Sequence, residues 1–438
     1  MVRTSAILVF LASTSTVLTQ SCSESSHCTE SAPCCSQYGQ CGIGAYCLGG
    51  CDPVSSFSLN SCTPAPVCQS KKHTFDSKLS TILPNTKYLG DPSTADWVSS
   101  GQPVFHNDNV LLTMSPDSVG TLLASTTYMW YGNVKARFKT SRGAGVVTAF
   151  ILLSDVKDEI DFEFVGADLV TAQSNYYSKG VTNYHNSANI PLSDTFVNYH
   201  TYEINWTPDE ITWSIDGQVG RTKKRIDTWN ATANQWSYPQ TPSRIQLSLW
   251  PAGLPTNGKG TIAWAGGLVD WNSVDIKNNN YYYAAFESIE ITCFNADSGP
   301  GTNKGISYTY SDARSTNDTV IDGDKGTILQ SFMATGLDPK AGAPVQAPAG
   351  TSSAPDAAKT IETIPGISGG NPGVDNHDLG NTSPNSDDPE TDKPSDPSTP
   401  SFSQGRKPSS GGSQVKPTKI WTTFIAISFL SLYVLTAS

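Results

Sequence analysis

Seven consecutive residues, Asp158-Glu159-Ile160-Asp161-Phe162-Glu163-Phe164, constrain this chain more than any other segment. From Glu159 onward, the strict alternation of acid and apolar side chains fits a β-strand and no helix. With a period of two, Glu159, Asp161 and Glu163 share one face, while Ile160, Phe162 and Phe164 share the other. The apolar face demands a core to bury it. Three carboxylates on the open face repel one another, a cost that a purely structural strand has no reason to carry.

The surroundings support a sheet protein. Nine of the ten tryptophans lie between residues 97 and 271. Val134–Phe138, Thr201–Trp206, Ile211–Ile215 and Ile245–Trp250 each alternate apolar and polar residues, and turns such as Asp216-Gly217 separate them. Many short strands with tight turns predict an all-β sandwich rather than βαβ units. No amphipathic helix of ordinary length is evident.

The ends read differently. Residues 1–20 carry Arg3, an apolar run from Ala6 to Ala12 and then small hydroxylated residues, the layout of a signal peptide. From residue 312 to 410, Pro, Gly, Ser, Thr and Asp dominate, and such a stretch buries too little apolar surface to order itself, so an extended stalk is expected. Within it, Gly366-Ile367-Ser368-Gly369-Gly370 spells a serine-hydrolase elbow but lacks the flanking strand and helix that such an elbow requires. Residues 411–438 combine small residues, a polar spacer and a terminal apolar run from Ile420 with no basic flank, the pattern of a glycolipid (GPI) anchor signal. A secreted protein held at the outer face of the plasma membrane or in the cell wall is expected, touching the membrane only through lipid.

Charge and cysteine count narrow the partners. A net charge of −11 leaves no basic surface for nucleic acid. Nine of the ten cysteines fall between residues 22 and 68, which indicates disulfides in an oxidising compartment. The six histidines are scattered, so no metal or other cofactor is expected. A calcium site on the acidic strand is disfavoured because one straight face surrounds an ion poorly.

Crowded carboxylates separate in pKa, so one can stay ionised while another holds its proton. Retaining glycoside cleavage needs that division, with one carboxylate as nucleophile and one carboxylic acid protonating the leaving oxygen. Glu159 and Glu163 sit about 13 Å apart by strand rise, whereas retention calls for carboxyl groups about 5 to 5.5 Å apart. The side chains are therefore expected to lean together around Asp161.

The segment Asp158–Gly166 resembles the active-site strand of glycoside hydrolase family 16, in the form without an extra bulge residue. More narrowly the chain resembles the fungal Crh chitin-glucan crosslinking transglycosylases, through Gln173–Tyr177, Tyr202–Trp206, Ile215–Gly217, Ser248–Pro251 and Trp264–Gly267. The resemblance covers about residues 70 to 300 and implies a β-jelly roll over residues 69–311. It implies Glu159 as nucleophile, Asp161 as the assisting acid and Glu163 as general acid/base. Aromatic faces stack on sugar rings while amides bond hydroxyls, which makes Tyr176, Trp250, Trp264, Gln173 and Asn175 the candidate cleft residues.

Residues 21–68 resemble the hevein-type chitin-binding module, through Cys34-Cys35-Ser36-Gln37-Tyr38-Gly39-Gln40-Cys41-Gly42 and Tyr46-Cys47. That resemblance implies pairing of Cys22 with Cys35, Cys28 with Cys41 and Cys34 with Cys47, and sugar contacts from Ser36, Tyr38 and Tyr46. Gln40 stands where an aromatic residue is usual, which weakens the expected affinity. Three pairings remain open for Cys51, Cys62, Cys68 and Cys293.

The expected function is cleavage of chitin or a related β-glycan with transfer to β-glucan, by a monomer. A plain β-glucanase or chitinase would use the same carboxylates, and a non-catalytic wall lectin would gain nothing from their repulsion. Asn205, Asn230, Asn317 and Asn381 each begin a glycosylation sequon.

Overall fold

The computed structural model describes residues 20–75 and 81–343. The signal peptide, the anchor signal, the Gly366 elbow, Asn381 and the stalk beyond residue 343 lie outside the described residues.

Two eight-stranded sheets face each other across one core. The sheet that carries the acids contains, in chain order, β1 (Ile82–Pro84), β2 (Trp97–Ser100), β3 (Thr121–Met129), β4 (Val146–Ser154), β5 (Glu159–Val165), β6 (Thr171–Tyr177), β7 (Ala188–Pro191) and β8 (Ser243–Pro251). Their spatial order is β7-β6-β5-β4-β8-β3-β2-β1, antiparallel except for the β1–β2 edge pair. The partner sheet includes Gly132–Lys139, His200–Trp206, Glu210–Ile215 and Tyr282–Cys293. All four stretches expected to alternate are strands. Gly132–Lys139 shows why, since its residues alternate strictly between buried and half-buried.

Phe150, Phe162, Phe164 and Leu247 from the first sheet meet Phe138, Tyr202, Trp213 and Phe286 from the second. Phe138 stands 4.4 Å from Tyr202 and 4.5 Å from Phe286, ring centre to ring centre. Each such ring removes about 150–250 Å² from water, so this aromatic layer dominates the burial that holds the sheets together. Asp216 and Gly217 both take positive φ, 51° and 79°, as a two-residue hairpin turn requires. Helix is confined, among the described residues, to two α-helices of six residues, α1 (Lys259–Trp264) and α2 (Val274–Asn279), plus short 3-10 turns. The architecture is the β-jelly roll that the sequence implies.

The three implied bridges of the N-terminal module are present. The four remaining cysteines pair as Cys51–Cys62 inside the module and Cys68–Cys293 across the jelly roll.

One expectation about the fold needs correction. The chain does not leave the folded body at residue 312. Val320–Gly323 pairs with Ser307–Tyr310, which pairs in turn with Ala65–Pro66. Beyond that sheet, Leu329 and Ala334 are buried against Tyr46 and Leu48 of the module. Composition misled because this strap buries few apolar residues and is held by backbone bonds, Leu329 N–H to Leu89 O (2.8 Å), Gly44 N–H to Ala334 O (2.9 Å) and Gly336 N–H to Ser61 O (2.8 Å). Gly90 lets the strap pass: its φ is +94°, and a Cβ there would lie 2.1 Å from the Thr327 carbonyl oxygen. Arg221, in the strand Gln218–Lys224, is also built in. Arg221 stacks 4.6 Å over Trp213 and donates to the Ser174 and Asn186 carbonyls.

Candidate active site

Strand β5 is regular. Its register to β4 and to β6 runs without a shift from Glu159 to Glu163, so the three acids do share the open face. The strand is fixed from outside at its start and near its middle. Before it, the buried Asp158 carboxylate accepts from Gln240 N–H (2.8 Å), Thr241 N–H (3.1 Å), Thr241 Oγ1 (2.7 Å) and Lys179 N–H (3.0 Å). Beneath it, Trp213 of the partner sheet donates its indole N–H to the Asp161 carbonyl at 2.9 Å. Asp158, first of the four acids, is thus fully satisfied and serves as an anchor.

The three open-face acids are not equally covered. Asp161 is 1% exposed and Glu159 6%, whereas Glu163 is partly open to solvent. Burial, as the largest cause, raises the pKa of all three above the ordinary carboxylate range. The charges of Glu159 and Glu163 push Asp161 further up, and that of Glu159 pushes Glu163. Among the described residues no neutral donor reaches either Asp161 oxygen, and the carboxyl within reach is that of Glu159. Two carboxylates can bond only through a proton. That bond raises Asp161 and lowers Glu159, so the shared proton favours Asp161.

Raised acids bind protons in the folded chain that the unfolded chain has already lost. Their stabilising share is complete below the ordinary carboxylate pKa and disappears as pH rises through the raised values. The melting temperature should therefore fall as pH climbs from about 4 into the neutral range. A chain carrying Glu159→Gln, Asp161→Asn and Glu163→Gln together should lose most of that slope in calorimetric scans across pH.

Strand β6 places Gln173 opposite Glu163 and Asn175 opposite Asp161, on the acid face as expected. Tyr176 is opposite Ile160 and therefore points the other way, into the core beneath Arg221. It is not a cleft residue. Its neighbour Tyr177, opposite Glu159, takes that place. The Tyr177 hydroxyl bonds the Asn175 side chain, and burial followed by the charge of Asp161 drives its pKa upward. The signal was available, since a period of two from Gln173 and Asn175 leads to Tyr177.

Trp264, the last residue of α1, donates its indole N–H to Gln173 Oε1 at 2.8 Å. Its ring stacks on Trp250 at 6.1 Å. Trp250 lies on the acid face beside Val147 and Val165 but is buried, so it supports the partly exposed Trp264 rather than offering its own surface. On β8, Ser248 and Gln246 complete the floor in register with Ala149 and Ile151. Among the described residues, no hydrogen-bond partner reaches the buried Ser248 hydroxyl.

The module's expected sugar contacts are not free surface. Ser36 is 3% and Tyr46 8% exposed, Tyr38 is half-buried, and all three line a cavity against the jelly roll. Polar bonds dock the module beside the acid sheet. Gly50 N–H donates to Asp155 Oδ1 (2.9 Å) and to the Tyr128 hydroxyl (3.1 Å), Lys157 pairs with Asp52 (3.1 Å), and Arg244 donates to Gln37 Oε1 (3.1 Å). Gly50 has φ +87°, and a Cβ there would lie 2.8 Å from the Arg244 guanidinium.

Known proteins are similar to this chain. Residues 92–266 match Glycosyl hydrolases family 16. The chain is 68% identical over 342 residues to Crh-like protein 3 of Botryotinia fuckeliana, covering 78% of this chain and 77% of that one. It is 48% identical to Congo red hypersensitive protein 2 of Saccharomyces cerevisiae, over 74% of this chain and 70% of that one. A solved structure described as Crh5 transglycosylase in complex with NAG is 29% identical, covers 62% of this chain and 99% of its own, and superposes with a TM-score of 0.51. The chain belongs to the Crh-like proteins of glycosyl hydrolase family 16.

Proposed function

We propose that this chain is a retaining transglycosylase that cleaves chitin and passes the freed chain to β-glucan, joining polymers of the cell wall. The observation that carries the reading is the trio of carboxyls on one strand face, with Glu159 and Asp161 buried side by side and Glu163 more open to solvent. Glu159 attacks the anomeric carbon as the glycosidic C–O bond breaks, and the Glu163 proton goes to the departing oxygen. The product is a glycosyl ester on Glu159. An acceptor hydroxyl then yields its proton to Glu163, and its oxygen displaces Glu159. Asp161 orients the nucleophile and tempers its charge. Gln173 and Asn175 bond sugar hydroxyls, while the partly exposed Trp264 offers ring surface.

Secretion, a GPI anchor, action as a monomer and glycans at the exposed Asn230 and at Asn317 belong to the same reading, which the N-terminal and C-terminal sequence patterns support. Asn205 lies within a strand in contact with Asn133, a poor acceptor.

The test is incubation with chitin oligomers and a fluorescent laminarin oligomer, followed by mass analysis. Fluorescent hybrids are expected. Shortened chitin fragments alone would mean that water is the acceptor and would overturn the transfer reading.

A further inference from the structure

Away from the acid face, two tryptophans stand on a short hairpin. The edge strand Gln218–Lys224 of the second sheet runs into a 3-10 turn, Arg225–Thr228, and then into the paired segments Trp229–Asn230 and Gln235–Trp236. Trp229 is opposite Trp236, and Asn230 is opposite Gln235. The base of the hairpin is pinned. Arg225 N–H donates to Asp209 O (2.7 Å), Ser237 N–H to Thr228 O (2.9 Å) and the buried Tyr238 hydroxyl to Thr207 O (2.7 Å). At the tip, Asn230 Oδ1 accepts from the N–H groups of Thr232 and Ala233, both at 3.0 Å. Gln240, whose N–H binds Asp158, follows Trp236 by four residues, so the Trp236 backbone lies at most about 14 Å from a residue that anchors the acid strand.

The hairpin holds its rings in place without hiding them. Trp236 packs against the core, whereas Trp229 is 48% exposed and nearby Ile226 is 72% exposed. The two indoles meet at 4.8 Å with 64° between their planes, and the Arg225 guanidinium lies 4.7 Å from the centre of the Trp236 ring. Rings fixed in advance lose little freedom when a ligand stacks on them. Beside Trp236 opens a groove of about 430 Å³, within the range of about 300–1,000 Å³ usual for ligand sites. Asp209, Glu210, Lys224, Arg225 and Ile226 complete its lining. Two carboxylates balance two cations there, which suits a neutral ligand. Together they supply acceptors and donors for hydroxyl groups next to an aromatic face, the combination that recognises a sugar. Glucose bears a hydroxyl where the chitin sugar bears an acetamide, so a glucan offers Asp209 and Glu210 more to accept. Register turns Asn230 to the other side of the hairpin, where a glycan on it would leave the tryptophans open to a thin polymer.

We infer that the Trp229–Trp236 hairpin and the groove beside it form a second glycan-binding surface, separate from the acid face, that holds a β-glucan strand next to the enzyme. The two indoles stack on its sugar faces, and Asp209 and Glu210 accept from its hydroxyls. Polymer is thereby kept close to the acids without occupying them. The choice of glucan as the polymer worth holding rests on the transfer reading above.

The test reads retention, apart from turnover. The whole chain carrying Glu159→Gln is mixed with insoluble β-glucan in the presence of excess chitin oligomer, which occupies the cleft, and its bound fraction is compared with that of the same chain carrying Trp229→Ala and Trp236→Ala as well. Affinity for the glucan should fall about tenfold. Trp229→Phe, which keeps a ring at the exposed position, should retain most of it. In the catalytically intact chain, Trp229→Ala should leave both the melting temperature and the turnover of short chitin oligomers at the parent's values. Equal retention with and without the tryptophans would overturn the proposal, and so would a loss confined to insoluble chitin. A loss of retention matched by an equal loss of chitin turnover would make the hairpin a support for the cleft and overturn the separate surface. Absence of chitin cleavage by the parent would instead overturn the cleft reading, while retention on glucan would still report on the hairpin.

Discussion

Glu159→Gln is expected to lower turnover by at least about 10⁴-fold, on the scale of removing a covalent nucleophile. The substitution keeps the shape of the side chain and its acceptor oxygen, so the proton on Asp161 still has a partner. It removes a charge from a nearly fully buried site. The folded chain should therefore melt no lower than the parent at neutral pH, which separates lost chemistry from lost structure. Product formation from chitin oligomers, measured beside a melting curve, checks both halves. A stable variant that retains turnover within about tenfold of the parent would remove Glu159 from the nucleophile role.

Glu163→Gln is expected to cost about 10²–10⁴-fold on a natural glycan donor, because the amide cannot protonate the departing sugar oxygen. A donor with an acidic phenol as leaving group needs no such proton, and its first step should be slowed far less. The pH profile should change as well. With a raised pKa on Glu163, the parent loses activity on glycan as pH rises and the proton departs. In the variant that alkaline limb should vanish. Comparing an aryl glycoside with an oligosaccharide across pH tests this directly, and equal losses on both donors would contradict it.

The sheet and its acids were legible because they depend on local alternation. Strand β5 reads correctly from seven residues, and its pairing with β6 follows from the same period. The misplacement of Tyr176 shows the resolution of such reading. Two adjacent tyrosines differ by one residue, and one residue reverses the face. Where Trp250 and Trp264 sit was legible, but which ring is covered was not, since that depends on α1 folding back over β8. The docking of the module was not legible at all. It rests on pairs such as Arg244 with Gln37 and Asp155 with Gly50, separated by 207 and 105 positions, and no local pattern encodes them. The pairing of Cys68 with Cys293 spans 225 positions and is equally tertiary. The strap after residue 324 escaped notice because backbone bonds, rather than an apolar stripe, hold it.

The central claim is that glycan is carried on Glu159 between donor and acceptor. It is tested most directly by acid-quenching the enzyme during turnover of a chitin oligomer and mapping its peptides by mass. The account predicts a sugar adduct on the peptide containing Glu159, which disappears when a laminarin oligomer is added before the quench. An adduct on Glu163 or Asp161 instead, or steady turnover with no adduct on any peptide and inverted product, would contradict it.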